Sequence, residues 1–120
     1  MARLLIAEDD AAMRNFLTRS LIRAGHEVVA VENGLKALPH ITPGGFDLLL
    51  SDVAMPELDG VALAKRAADL DPMMKVVFIT GFAAIAMNRK DSDPPPHSAV
   101  LSKPFHLRDL VAMVEQLCTS

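Results

Sequence analysis

The sequence of 120 residues contains no tryptophan, no tyrosine and a single cysteine, Cys118. One cysteine cannot close an internal disulfide, and no histidine stands beside it in sequence, so Cys118 is predicted to be an ordinary thiol rather than a nucleophile. Basic residues never form runs longer than two, and the formal net charge is only -3. These values argue against nucleic acid or an anionic membrane as the main partner.

Long apolar runs are also missing. The start, Met1–Leu4, leads directly into a strand pattern and lacks the stretch of a signal peptide or membrane span, which predicts a cytoplasmic protein. Internal repeats, low-complexity tracts and interdomain linkers are absent. With 51% apolar residues, the sequence predicts one domain over residues 1–120 and no effector domain.

Strand-like and helix-like segments alternate along the chain. The strand-like segments are Arg3–Ala7, Glu27–Val31, Phe46–Asp52, Lys75–Thr80 and Ala99–Ser102. Apolar residues at helical spacing predict helices from Asp10 to Gly25, around Leu35 and Leu38, over Val61–Leu70, over Phe82–Arg89 and from Leu107 to Leu117. This alternation predicts an α/β fold, a doubly wound (βα)5 five-stranded parallel sheet with crossover helices on both faces.

Polar side chains follow the predicted strands at their carboxyl ends. They are Glu8, Asp9 and Asp10 after the first strand, Asp52 at the end of the third, Thr80 at the end of the fourth and Lys103 after the fifth. Open α/β sheets bind ligands at this edge. Asp10 is better explained as a helix cap than as a ligand, and we leave it out of the metal set.

Carboxylates gathered at one edge repel one another unless a cation joins them. Mg²⁺ suits such a site, because it takes hard oxygen ligands and keeps other positions for water or phosphate. The chemistry that this suggests is phosphoryl transfer onto a carboxylate, with Asp52 as the nucleophile. An aspartate needs no general base at neutral pH, so positioning, a metal and a cation can supply most of the catalysis.

Four segments in this order resemble the receiver domain of two-component response regulators, a flavodoxin-like, CheY-like fold. The segments are Glu8-Asp9, Asp52 with Met55-Pro56 and Asp59-Gly60, Thr80-Gly81, and Lys103-Pro104-Phe105. The resemblance implies that Asp52 takes phosphate from a histidine kinase or histidine phosphotransfer protein. It further implies Mg²⁺ held by Asp9, by Glu8 through water, by Asp52 and by the Ala54 carbonyl, with Thr80 and Lys103 contacting the phosphoryl group.

The chain also departs from that family. Many receivers carry Tyr or Phe three residues before the lysine, whereas this chain has Val100. The helix predicted at Phe82–Arg89 is short, and three prolines follow it at Pro94, Pro95 and Pro96. The surface that other receivers use to dimerise or to meet partners is therefore expected to differ, and we expect a monomer or weak dimer.

Two segments, residues 78–84 and 100–107, resemble the CpdR family of small single-domain regulators in alphaproteobacteria. In that family the unphosphorylated form helps to recruit substrates to the ClpXP protease, and phosphorylation ends this activity. The resemblance implies ClpX or another downstream protein as a partner, and it leaves recruitment to a cell pole open. The protein would then be a signalling phosphoacceptor that catalyses only its own phosphotransfer and dephosphorylation, rather than an enzyme.

Other functions are weighed against this one. The chain could be a phosphate sink, a CheY-like regulator of another partner, or a binding module that is never phosphorylated. A phosphatase of the haloacid dehalogenase type needs a second aspartate two residues after the first, where this chain has Ala54. A flavin binder of the same architecture would place Ser, Thr or Gly amides after the first strand, where this chain has acids.

Overall fold

The structure, a computed structural model, describes residues 2–53, 58–80, 98–102 and 105–119. The strands are β1 (Arg3–Ala7), β2 (Glu27–Val31), β3 (Leu48–Asp52), β4 (Lys75–Thr80) and β5 (Ser98–Ser102). The helices are α1 (Ala11–Arg23), α2 (Gly34–Ala37), α3 (Gly60–Leu70) and α4 (Leu107–Thr119), and a short 3-10 helix covers Leu38–His40. The strands form one parallel sheet in the order β2-β1-β3-β4-β5, which confirms the predicted fold class.

Alternate residues of the central strands face opposite sides of the sheet, and each side carries its own apolar core. On one side, Leu5, Leu49 and Phe78 pack against residues of α2 and α3 such as Ala37 and Leu63. On the other side, the cluster comprises Leu4, Ile6, Leu48, Leu50, Val77 and Ile79 from the sheet with Leu17, Leu21, Leu110 and Val114 from α1 and α4. Strands covered on both faces explain the nearly continuous apolar runs in the sequence.

Side-chain caps fix where the helices begin. Asp10 precedes α1 and accepts hydrogen bonds from the backbone N–H groups of Ala12 and Met13, at 2.9 and 3.4 Å. The prediction that Asp10 is a cap is therefore confirmed. Asn33 and Asp59 cap α2 and α3 in the same way. Asp10 and Asn33 closely follow the ends of β1 and β2, so these two caps also fix where the chain enters the next helix.

The observed boundaries differ slightly from the predicted ones. The third strand begins at Leu48 rather than Phe46, because the Asp47 carboxylate accepts the backbone N–H of Arg3 at 2.8 Å and ends the regular ladder there. Helix α3 begins at Gly60, one residue early, and β5 at Ser98, one residue early. Pro39 ends α2 as expected, within the 3-10 helix.

Outside the described residues lie the helix predicted at Phe82–Arg89 and the proline-containing loop.

A buried histidine, His26, stabilises the amino ends of β1 and β2. His26 is 8% exposed, and its Nδ1 accepts the backbone N–H of Ala2 at 3.0 Å. The adjacent backbone N–H of Glu27 donates to the Ala2 carbonyl at 2.9 Å. These bonds set the register of β1 against β2, in which Arg3 lies opposite Glu27. His26 therefore has a structural role at the end of the sheet opposite the acidic residues.

Candidate functional site

The register between β1 and β3 brings two carboxylates together. Ala7 pairs with Ser51, so the next residues along the two neighbouring strands are Glu8 and Asp52. Both are buried, with Glu8 1% and Asp52 8% exposed. Parallel strands end at the same edge, and this edge is where the sequence placed the site.

Glu8 is held by backbone contacts on several sides. Its N–H donates to the Val31 carbonyl at 3.1 Å, which extends the pairing of β1 with β2 by one residue. Its Oε2 accepts the Asp10 N–H at 3.2 Å. Its carbonyl oxygen accepts a hydrogen bond from Nη1 of Arg14 at 2.9 Å. The Arg14 contact was not anticipated from the sequence, because nothing in the spacing of Arg14 in α1 signals it.

One carboxylate oxygen from each of Glu8, Asp9 and Asp52 lies within 4.8 Å of the others. Glu8 and Asp52 are buried, whereas Asp9 is exposed to solvent. Three hard oxygen donors at this separation can share one divalent cation, and the remaining positions can hold water or phosphate oxygens. The donor set fits Mg²⁺.

Burial raises the pKa of the Glu8 carboxyl from its ordinary value of 4.5 to about 8. The backbone hydrogen bond from Asp10 opposes this rise, while hydrogen bonding to Asp52 and the charge of Asp52 add to it. The neutral carboxyl is favoured because burial removes the carboxylate from water and a second negative charge, that of Asp52, lies beside it. The Glu8 carboxyl therefore releases its proton at a higher pH than an ordinary glutamate does.

The backbone below Asp52 is tightly packed. The N–H of Val53 donates to the Ile79 carbonyl at 3.2 Å, and the N–H of Gly60 donates to the Val53 carbonyl at 2.9 Å. Ser51 is fully buried, and its hydroxyl donates to the Asp52 carbonyl at 3.0 Å. Sequence reasoning gave no role to Ser51, and it used Gly60 only as part of a motif.

The other residues predicted for the site are placed only in part. Thr80 is the last residue of β4, and its backbone is paired with Ser102 of β5. Its side chain, together with Ala54 and Lys103, falls outside what the structure describes. Val100, at the position where many receivers carry an aromatic residue, lies in β5 and packs against the core cluster of α2 and α3. The roles of Thr80, Ala54 and Lys103 remain predictions.

Residues 4–115 match the family model described as the response regulator receiver domain. The chain belongs to this family. Within it, the chain is 52% identical over 117 residues to the response regulator receiver protein CpdR of Brucella abortus, which covers 98% of this chain and 97% of CpdR. Phosphorylation and Mg²⁺ binding are typical of receivers, and the chain is a signalling domain of two-component systems.

Two further relatives place this receiver in context. The sensor kinase CckA of Brucella abortus is 32% identical over 118 residues, which is 97% of this chain but only 12% of CckA. The structure of response regulator TrrA of Thermotoga maritima, in complex with Mg²⁺-BeF, superposes with a TM-score of 0.84 at 25% identity over 98% of this chain and 99% of TrrA.

Among the residues that the structure describes, no helix has the length and apolar character needed to cross a membrane.

Proposed function

We propose that the receiver accepts a phosphoryl group on Asp52 from a phosphohistidine of a histidine kinase or histidine phosphotransfer protein. The observation that carries this proposal is the cluster of Glu8, Asp9 and Asp52 oxygens within 4.8 Å at the carboxyl edge of the sheet. An Asp52 oxygen forms a bond to phosphorus as the P–N bond of the donor breaks. The electron pair stays on the imidazole nitrogen, which takes a proton from water.

Glu8, Asp9 and Asp52, with the Ala54 carbonyl, would hold Mg²⁺. When bound, the metal would neutralise the charge that gathers on the phosphoryl oxygens. The chain's own residues do the rest. Asp52 is buried at the tip of a central strand, which fixes the nucleophile. Thr80 would donate a hydrogen bond to a phosphoryl oxygen, and Lys103 would pair with the charge of the phosphate.

The donor would approach over α1. This helix begins at Ala11, directly after the acidic residues, and carries Arg14, Arg19 and Arg23 but no acid. A groove of about 390 Å³ is lined in part by Phe16, Arg19 and Arg23. Phe16 is 45% exposed and gives this face of α1 an apolar surface. An apolar centre with a basic rim suits an acidic helix that carries the phosphohistidine.

The output of the receiver is proposed to follow the CpdR pattern. Its 52% identity to CpdR over nearly the whole of both chains supports this. In that pattern the unphosphorylated receiver assists ClpXP proteolysis in the cytoplasm, and phosphorylation of Asp52 ends the activity. The receiver would catalyse only its own phosphotransfer and dephosphorylation.

Acetyl phosphate tests the acceptor directly. Because the chain lacks Trp and Tyr, intact mass is a better readout than fluorescence. In the presence of Mg²⁺ one phosphate should be added, and it should be absent in Asp52→Asn and greatly reduced by a chelator. Asp109→Asn, an exposed aspartate in the first turn of α4, is the matched control and should be labelled like the wild type. Labelling that survives Asp52→Asn would contradict the assignment.

A second comparison separates the donor surface from the acceptor. Arg19→Glu should slow transfer from the phosphorylated donor protein while leaving labelling by acetyl phosphate unchanged. Loss of both reactions would mean that Arg19 acts on the site itself.

A third comparison concerns output. Asp52→Ala should bind ClpX-dependent machinery constitutively in a pull-down, and phosphorylated wild type should not. Equal binding by the two forms would rule out the proposed switch.

A further inference from the structure

Gly60 is the first residue of α3, and it packs directly on the peptide of Asp52. A Cβ built on Gly60 would overlap the carbonyl oxygen of Asp52 and would lie 2.9 Å from the Asp52 carbonyl carbon. Real Cβ atoms do not approach a carbonyl this closely. Because the overlapped atoms are backbone, no side-chain rotation can make room. Either the start of α3 or the end of β3 would have to move.

The glycine is not required by its own backbone conformation. Gly60 has no positive φ, in contrast to Gly25 and Gly44. It follows the capping residue Asp59, at a helix position where most residues are accepted. In an ordinary helix, alanine is more favourable than glycine. The reason for glycine at this position is therefore the space next to Asp52.

Ser51 completes the contact from within β3. Its side chain is fully buried, and its hydroxyl donates to the same Asp52 carbonyl oxygen at 3.0 Å. The Ser51 Oγ also lies 2.9 Å from the position that a Gly60 Cβ would occupy. One carbonyl oxygen is thus held by a hydroxyl on one side and by a Cα on the other. The N–H of the same peptide unit, that of Val53, donates to the Ile79 carbonyl, and the next peptide is fixed because the Val53 carbonyl accepts the Gly60 N–H.

We propose that Ser51 and Gly60 are positioning residues for the reaction of Asp52. The inference rests on the proposed phosphoacceptor function. Together the two residues set the orientation of the Asp52 peptide, and the Asp52 side chain leaves the backbone in a direction that this peptide fixes. A nucleophile and metal ligand must be held to within about 0.5 Å and 10–20° of its productive geometry. Displacements of about 1 Å can reduce a rate by roughly 100-fold.

Gly60→Ala is the central test. It should lower the rate constant for labelling by acetyl phosphate about 10-fold or more and weaken Mg²⁺ binding, measured by calorimetry or by NMR titration. Ala64→Gly is the first control, because it weakens the same helix without adding an atom near Asp52. The control should unfold more easily yet keep the wild-type labelling rate and metal affinity.

Gly34→Ala is the second control. Gly34 is also the first residue of a helix, α2, but its added Cβ would lie 2.7 Å from the carbonyl oxygen of Leu58 instead of Asp52. It therefore crowds a backbone oxygen at the same kind of helix position. Its effect on labelling should be smaller than that of Gly60→Ala. Equal losses of labelling rate in the two variants would overturn the inference, because crowding at Leu58 would then slow the reaction as much as crowding at Asp52.

Ser51 supplies the test that a purely structural role would not pass. Ser51→Ala removes the hydroxyl and should slow labelling about 3-fold, in line with the loss of one hydrogen bond. It also removes one of the atoms that a Gly60 Cβ meets. The double variant Ser51→Ala/Gly60→Ala should therefore be faster than the product of the two single effects, whereas Ser51→Ala combined with Ala64→Gly should show no such coupling.

The outcomes distinguish this inference from the proposed function. If the wild type is not labelled at all, the phosphoacceptor function fails, and the metal titrations still decide whether Gly60 positions Asp52. If the wild type is labelled and Gly60→Ala retains its rate and metal affinity, the positioning role fails while the function stands. Additive effects in the double variant would likewise show that Ser51 and Gly60 do not act on one atom.

Discussion

Replacing Glu8 by glutamine tests the electrostatics of the site most directly. Glu8 is 1% exposed, and burial next to Asp52 raises the pKa of its carboxyl from 4.5 to about 8. Between these two pH values the folded protein binds a proton that the unfolded chain has released. The free energy of unfolding must therefore fall as the pH rises through this window. Glutamine stays neutral throughout and removes this contribution.

The expected magnitude follows from the pKa. Each pH unit of difference is worth about 1.4 kcal/mol, so metal-free wild type should lose roughly 3 to 5 kcal/mol through Glu8 between about pH 4.5 and about pH 8. This is a large fraction of the roughly 5 to 15 kcal/mol that stabilises a domain. Glu8→Gln should consequently be more stable than wild type near pH 8, and the two should converge near pH 4.5.

Mg²⁺ should reduce or reverse the difference in stability between wild type and Glu8→Gln. The metal favours ionised carboxylates, so it should stabilise wild type more strongly at pH 8 than at pH 6, since less proton has to be displaced. Glu8→Gln lacks one carboxylate and should gain less from the metal. The stabilising effect of removing Glu8 should thus shrink or reverse at saturating Mg²⁺.

Urea unfolding followed by far-ultraviolet circular dichroism measures these differences without aromatic fluorescence. The series compares wild type with Glu8→Gln at several pH values, in chelator and in Mg²⁺. Glu27→Gln is the matched control, because this exposed glutamate is the first residue of β2, at the end of the sheet away from Glu8. Its ion pair with Arg3 is also solvent-exposed. A difference between wild type and Glu8→Gln that does not change with pH would refute the reasoning.

Two further substitutions test the structural roles of other acids. Asp10→Ala should cost about 1 kcal/mol of unfolding free energy, measured in urea, and should leave Mg²⁺ affinity nearly unchanged, because Asp10 caps α1; a large loss of metal affinity would instead make it a ligand. Asp71→Ala should cost about 1 to 3 kcal/mol, since this buried carboxylate accepts the N–H groups of Gly44 and Met73 at 3.2 Å. Unaltered stability would show that these two bonds are replaced by water.

Much of the fold follows from the sequence because its signals are local. Strands β1, β2 and β4 have the predicted boundaries, and the Asp10 cap and the Pro39 interruption are where the residue types place them. The start of β3 was predicted too early. The Asp47 side chain binds the backbone of Arg3, a contact across 44 residues that no local pattern contains.

The site was predictable to the extent that it depends on strand ends. Glu8 follows the apolar strand β1 and Asp52 is the last residue of β3, and parallel pairing must then bring them to one edge. The separation of the carboxylates and the burial of Glu8 were not predictable, because they depend on register and on how deeply each strand tip lies. The contact of Arg14 with the Glu8 carbonyl depends likewise on the rotation of α1 against the sheet.

Backbone packing around Asp52 is the part of the site that sequence patterns represent least. Gly60 stands eight residues after Asp52, and in the sequence it is only a glycine behind a capping aspartate. The path of the chain lays its Cα on the Asp52 peptide, and Gly34 approaches the Leu58 carbonyl in a similar way. Two helices therefore begin in contact with Asp52 and with Leu58, respectively. We therefore expect that a chain with a Cβ added at residue 60 keeps the recognisable acidic motif. Its Asp52 carboxylate, however, would be displaced relative to Glu8 and Asp9.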